Sequence, residues 1–295
     1  MPIPLDICRT PDVLSYALDV FRDLYPEKTP KHIEQGFNLI ERYFQGKVPE
    51  YQPIDLIFHD FEHTLRGAVA TITFAQGLHR NHPAKHIFPA EAFEIVVLSI
   101  LMHDTGYLKE THDQEGTGAK YTADHVERSC RFAERVLTSL GFGSQEIAMS
   151  RNMILCTGLQ LNTKEIHFVN DADRWFGYCI GAGDLLGQMA DPRYLGKLPA
   201  LYQEFREAQA AEPEKWTWGT YSTYSELLSK TPWFYKNYVL PTIENQLGNV
   251  HTYSNFPFGS NDNIYLKAIE RNIADIEEIL TKSGDTSQHL PVAKL

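Results

Sequence analysis

No stretch of this chain stays apolar over the roughly 18–20 residues that a membrane-spanning helix requires. Its first ten residues, Met1 to Thr10, hold no basic run followed by an apolar one, so no secretory signal is read and a cytoplasmic location is expected. Cysteine is scarce. Cys8, Cys130, Cys156 and Cys179 are scattered without a CxxC spacing, which argues against a disulfide or zinc-knuckle framework and for reduced thiols. Positive charge is the minority sign, with 27 Lys and Arg against 38 Asp and Glu and a net charge of −11. Such a surface repels nucleic-acid backbones and anionic lipid, so neither a nucleic-acid polymer nor a membrane is expected as a partner. A small phosphorylated substrate stays admissible, because a bound cation reverses the field locally. The oligomeric state is left open.

Internal repeats, low-complexity blocks and period-two strand patterns are missing as well. What is present is an ordinary globular balance, 43% hydrophobic and 22% charged, with apolar residues recurring at helical spacing. Helices are expected near Val13–Leu24, Lys31–Phe44, Asp55–Leu78, Glu91–Asp104, Ala123–Leu140, Gln145–Thr157, Asn170–Met189, Pro192–Ala210, Tyr221–Ser229, Pro232–Gln246 and Asp262–Lys282. Proline and glycine punctuate the gaps. The fold class that follows is all-α, an irregular multi-helix bundle, with one domain over residues 1–282 and a frayed polar tail from Ser283 to Leu295.

Three segments carry chemistry. In Phe58-His59-Asp60-Phe61-Glu62-His63 the two histidines are four apart and would share one helix face. That spacing suits a ligand pair, and equally two polar side chains on a solvated face. The helix Glu91–Asp104 is apolar on nearly all sides and ends in His103-Asp104. Burying an imidazole and a carboxylate there is unfavourable unless both are satisfied, by a metal ion or by hydrogen-bonded neighbours. In the third segment, Asp184 lies among small apolar residues, Gly181-Ala182-Gly183-Asp184-Leu185. Asp173 competes with it, eleven residues earlier on the same face but roughly 16 Å away at about 1.5 Å per residue. Its neighbour Arg174 and its polar surroundings suggest a solvated Asp173, which favours Asp184. Imidazole and carboxylate donors without thiolates suit one or two divalent ions (Mn, Zn, Mg or Fe) with open positions for water and substrate, and Asp104 could bridge two of them.

The order His63, His103-Asp104, Asp184 on successive helices resembles the HD-domain phosphohydrolase superfamily. The pair His59 and His63 is similar to the Y-H-N-x-x-H element of class I cyclic-nucleotide phosphodiesterases. Met153 to Thr157, Gly183-Asp184-Leu185 and Leu201 to Phe205 resemble further segments of those enzymes, and the likeness covers roughly residues 51–210, the HD core. Three residues differ: Tyr107 stands where a histidine usually follows the H-D pair, Arg66 where an aspartate is common, and Gly183 where alanine is usual. The resemblance implies a metal-dependent phosphohydrolase that cleaves a phosphoester, of a nucleotide or cyclic nucleotide, with metal-activated water. It implies His59 as general acid, His63, His103, Asp104 and Asp184 as metal ligands, and Asp104 within the catalytic group. Gln246 and Asn263 are the candidates for a purine-reading amide.

His125, at a helix start, is a candidate further ligand or phosphate contact, or else a surface histidine. Arg128 and Lys120 are read as solvated charge, with neutralisation of a phosphate as the alternative. Trp216, Trp218, Tyr221 and Tyr224 are read as packing aromatics with a base platform as the alternative. Two competing functions remain. An HD-fold di-iron oxygenase would need extra histidine ligands, for which His125 is the candidate. A non-catalytic, ligand-sensing HD module would ordinarily lose ligands that this chain keeps.

Overall fold

The computed structural model describes residues 5, 7–82, 88–159, 161–216, 221–255 and 263–282. Its α-helices are α1 (Thr10–Leu24), α2 (Ile33–Phe44), α3 (Phe61–Asn81), α4 (Ala90–Met102), α5 (His125–Ser139), α6 (Ser144–Leu155), α7 (Asp171–Met189), α8 (Tyr194–Ala211), α9 (Tyr224–Phe234), α10 (Leu240–Asn245) and α11 (Ile264–Lys282). Among the described residues there is no strand, only an isolated antiparallel bridge between Tyr51 and Glu110. The all-α class read from the spacing is the observed one. No described helix is long and apolar enough to cross a membrane.

The centre of the bundle is made by α3, α4 and α7. Every residue of α4 from Ala92 to Met102 is buried, as its all-round apolar sequence demands. α3 is buried from His63 to Ala75 and pairs most extensively with α7. Their backbones approach closely at Gly183, where an added Cβ would lie 2.8 Å from the Thr71 backbone nitrogen. That approach puts the middle of α7 beside the middle of α3, with Gly187 against Arg66 one turn nearer the start of α3. One large hydrophobic cluster draws residues from all the helices, α1 through α11.

Two boundaries differ from expectation. α3 begins at Phe61, not at Asp55, because Asp60 caps it by accepting from the His63 amide at 2.8 Å. Upstream, Glu204 accepts from the amides of Ile57 and Phe58 at 3.1 and 2.7 Å and holds that bent, non-helical segment against α8. His59 therefore precedes the helix, and the shared helix face proposed for His59 and His63 is corrected. At the other end, Pro232 lies inside α9 and does not break it. The chain passes through a π-helical turn, Tyr235–Val239, into α10. The segment 283–295 lies outside the described residues.

Candidate metal centre

Three elements deliver the site. His63 sits in the first turn of α3, His103 and Asp104 at the C-terminal end of α4, and Asp184 in the middle of α7. All four are buried. His63 Nε2 lies 3.2 Å from both Asp104 Oδ2 and Asp184 Oδ1. His103 Nε2 lies 3.3 and 3.4 Å from the same two oxygens. The ring of His103 is fixed by its Nδ1, 2.7 Å from the Ile100 carbonyl, which leaves Nε2 facing inward with its lone pair in the neutral ring.

The donor set fits a cation. One ligand atom each from His63, His103 and Asp184 lies within 4.8 Å of the others, so the group could hold a metal ion. His103 Nε2 and Asp104 Oδ2 are buried and have no hydrogen-bond partner of acceptable geometry. Buried polar atoms left this way are costly, and a cation at their meeting point would satisfy both.

Electrostatics point the same way. Burial opposes a charged His63, yet the facing Asp104 and Asp184 carboxylates outweigh it and lift its pKa to about 10. His103 is raised against its burial by the same two charges. Burial would raise Asp104 and Asp184, but the facing imidazoliums hold both below the usual carboxylate range. In this state protons carry the positive charge that the two carboxylates require. A metal ion would take their place and release them.

His125, at the first position of α5, is not a surface residue. Its Nδ1 is 2.7 Å from the Thr122 carbonyl, and its Nε2 faces Asp104 Oδ1 at 3.9 Å. Burial pushes its pKa down, only partly offset by Asp104. Asp104 thus presents Oδ2 to the four-residue group and Oδ1 to His125. The α5 start can come this close because Gly106 has no side chain, and a Cβ there would lie 2.7 Å from the His125 carbonyl carbon.

His59 is brought to the rim by a partner that the sequence reading did not assign. Glu204 of α8 places Oε2 2.6 Å from His59 Nδ1, while its other oxygen takes the amides of Ile57 and Phe58. With Nδ1–H given to the carboxylate, Nε2 of His59 is the free atom. The signal for Glu204 was slight: a carboxylate one turn before the buried Ala208, on the covered side of α8.

Other residues fall elsewhere. Asp173 is corrected from solvated to fully buried (0% exposed); it accepts from Asn152 Nδ2 at 2.9 Å and from the Val169 amide at 2.7 Å, and it is no part of the metal group. Arg128 and Lys120 are not free solvated charges. Arg128 donates to the Gly106 and Leu108 carbonyls and lies over Tyr121, and Lys120 pairs with Asp113 at 2.5 Å. Arg66 is buried between Glu62 and Asp191. Gln246 accepts from Thr163, and Asn263 bridges the His251 carbonyl and Ser254. Trp216 and Tyr221 pack on Phe205, and Tyr224 meets Tyr202 edge-on; Trp218 lies outside the described residues.

A sequence model described as Npun_R2479-like matches residues 47–255, a span that contains every group of the site from His59 to Glu204. No curated protein matches the chain.

Proposed function

The chain belongs to the Npun_R2479-like family, and from the geometry of the site we propose that it is a metal-dependent phosphohydrolase of the HD type. Its substrate is a small phosphorylated molecule, with nucleotides and cyclic nucleotides the favoured class. One observation carries the proposal. Two imidazoles and two carboxylates from three helices converge in the core, and two of the converging atoms, His103 Nε2 and Asp104 Oδ2, have no hydrogen-bond partner.

His63, His103, Asp104 and Asp184 would hold one divalent ion, of Mn, Zn, Mg or Fe. Asp104 Oδ1 and His125 Nε2 would serve a second ion, or His125 Nε2 alone would contact a phosphate oxygen. A bound ion of this kind supplies a water whose pKa falls towards about 7 and withdraws charge from the phosphoryl group. The rest belongs to the chain. The water oxygen bonds to phosphorus, the P–O ester bond breaks with its electron pair on the leaving oxygen, and that oxygen takes the proton from His59 Nε2. The proton lost by the water passes to solvent. Glu204 holds the donor ring by its far nitrogen and keeps Nε2 turned to the substrate.

A di-iron oxygenase is the second reading, and the burial of His125 beside Asp104 is the observation in its favour. Iron content with oxygen consumption would select it.

The deciding experiment is metal stoichiometry by inductively coupled plasma mass spectrometry on the purified protein and on Asp184→Ala. Bound metal that falls sharply in the variant supports the centre and leads to a substrate screen. Absence of metal from both, even after loading with manganese or zinc, would make the cluster structural and end the hydrolase proposal.

A further inference from the structure

Tyr107 follows the His103-Asp104 pair by three residues and is 1% exposed. Its ring stacks on two imidazoles. The His59 ring lies 4.8 Å from it at 25°, and the His125 ring 4.6 Å from it at 13°. Both histidines are already held at Nδ1, His59 by Glu204 and His125 by the Thr122 carbonyl. A hydrogen bond to one atom leaves a ring free to swing about that bond. A flat surface against its face removes this freedom and fixes the direction of the opposite nitrogen.

Tyr107 is itself immobile relative to the metal group. Its amide donates to the Asp104 carbonyl at 3.1 Å, so its ring is registered to a candidate ligand by one short turn. Its hydroxyl meets Thr122, the residue that anchors His125. The preceding Gly106 packs against the His125 backbone and donates its amide to Ser129 of α5 at 2.8 Å.

We infer that Tyr107 is a positioning residue whose ring sets the planes of His59 and His125 and so orients the free Nε2 of each. The inference builds on the hydrolase proposal for its effect on turnover, but the ring geometry is a property of the protein alone. Ring and hydroxyl make separable contributions. Tyr107→Phe keeps the flat face, whereas Tyr107→Leu fills similar space without one.

Two measurements test this. The first is 15N-histidine NMR of the protein as purified. Wild type and Tyr107→Phe should show the His59 and His125 rings each in one orientation, with ring-current-shifted carbon-bound protons. Tyr107→Leu should leave both rings averaging over several orientations in 15N relaxation, with the Nδ1 hydrogen bonds kept. The second is manganese-supported hydrolysis of bis(p-nitrophenyl) phosphate. Tyr107→Leu should lose kcat on the order of 10²-fold, as a misplaced reacting group does, with the ion at His63, His103, Asp104 and Asp184 retained, and Tyr107→Phe should stay near wild type. If Tyr107→Leu does not fold, Tyr107→Met takes its place, since a flexible thioether also fills the gap without a flat face. Rings that keep a single orientation in the ring-less variant would overturn the inference, whatever the activity shows. So would wild-type kcat in that variant, or an equal loss in Tyr107→Phe. Failure of the wild type to cleave the probe would count against the hydrolase proposal and leave the NMR comparison to decide on Tyr107.

Discussion

Glu204 and His59, 145 residues apart in sequence, meet at 2.6 Å, and the same carboxylate closes two backbone amides of the segment that carries the histidine. One side chain therefore sets both the path of the chain into α3 and the orientation of the proposed proton donor.

Glu204→Gln tests that double duty. Glutamine has a single acceptor oxygen, and satisfying the amides of Ile57 and Phe58 with it turns the NH2 group towards His59 Nδ1. The ring must then rotate or exchange its tautomer. Turnover should fall roughly 10²-fold or more, the usual scale for losing an acid–base group, with bound metal unchanged. His59→Ala should behave likewise, and the double variant should lose little beyond either single one, because the two residues act as a unit. Additive losses would show that Glu204 serves the fold and not the donor.

The spacing between α3 and α7 is the next point of leverage. Asp184 meets His63 because Gly183 lets α7 settle onto Thr71, with room for no Cβ. Gly183→Ala should push the helices apart, destabilise the protein by about 1–3 kcal/mol, the range seen for overpacking, and weaken manganese binding. Calorimetry of the variant with and without manganese checks both effects. An alanine variant with native stability and native affinity would mean that the helix spacing does not govern the metal site.

Much of this was legible in the sequence where a residue's surroundings are its neighbours along the chain. The apolar run of α4 announced a core helix, and His103-Asp104 at its end announced buried polar groups needing satisfaction. Asp184 stood out among small residues for the same reason. Long-range partners were not legible. The spacing of His59 and His63 favours a common helix, but Glu204, supplied by a distant helix, holds the preceding segment out of the helix, and Asp60 caps α3 so that it starts two residues short of His63. Tyr107 registered as a missing histidine, and only the fold shows it stacked against two others. Asp173 looked solvated because Arg174 is adjacent, yet on a helix neighbouring residues point in different directions. Arg174 pairs with Asp171, while Asp173 turns inward to Asn152.

That inward turn gives Asp173 a pH signature of its own. Burial raises its pKa to about 6, against the hydrogen bonds from Asn152 and the Val169 amide, and one of its oxygens, Oδ1, is buried without a partner. An unfolded aspartate titrates near 3.9. Between those two values the folded protein binds more protons than the unfolded chain, so this residue's contribution to stability falls as pH rises from about 4 to about 6 and is constant above. The full loss is on the order of 3 kcal/mol, taking 1.36 kcal/mol per unit. Asp173→Asn mimics the protonated form without titrating. Melting temperatures of the two proteins should nearly coincide at pH 4 and diverge through pH 6, with the asparagine variant the more stable at pH 7.5. Metal content should be the same in both, because Asp173 lies about three helical turns from Asp184, roughly 16 Å along α7. A constant difference across the whole range would place the charged carboxylate in a partnered, unstrained setting and remove the titration from the account.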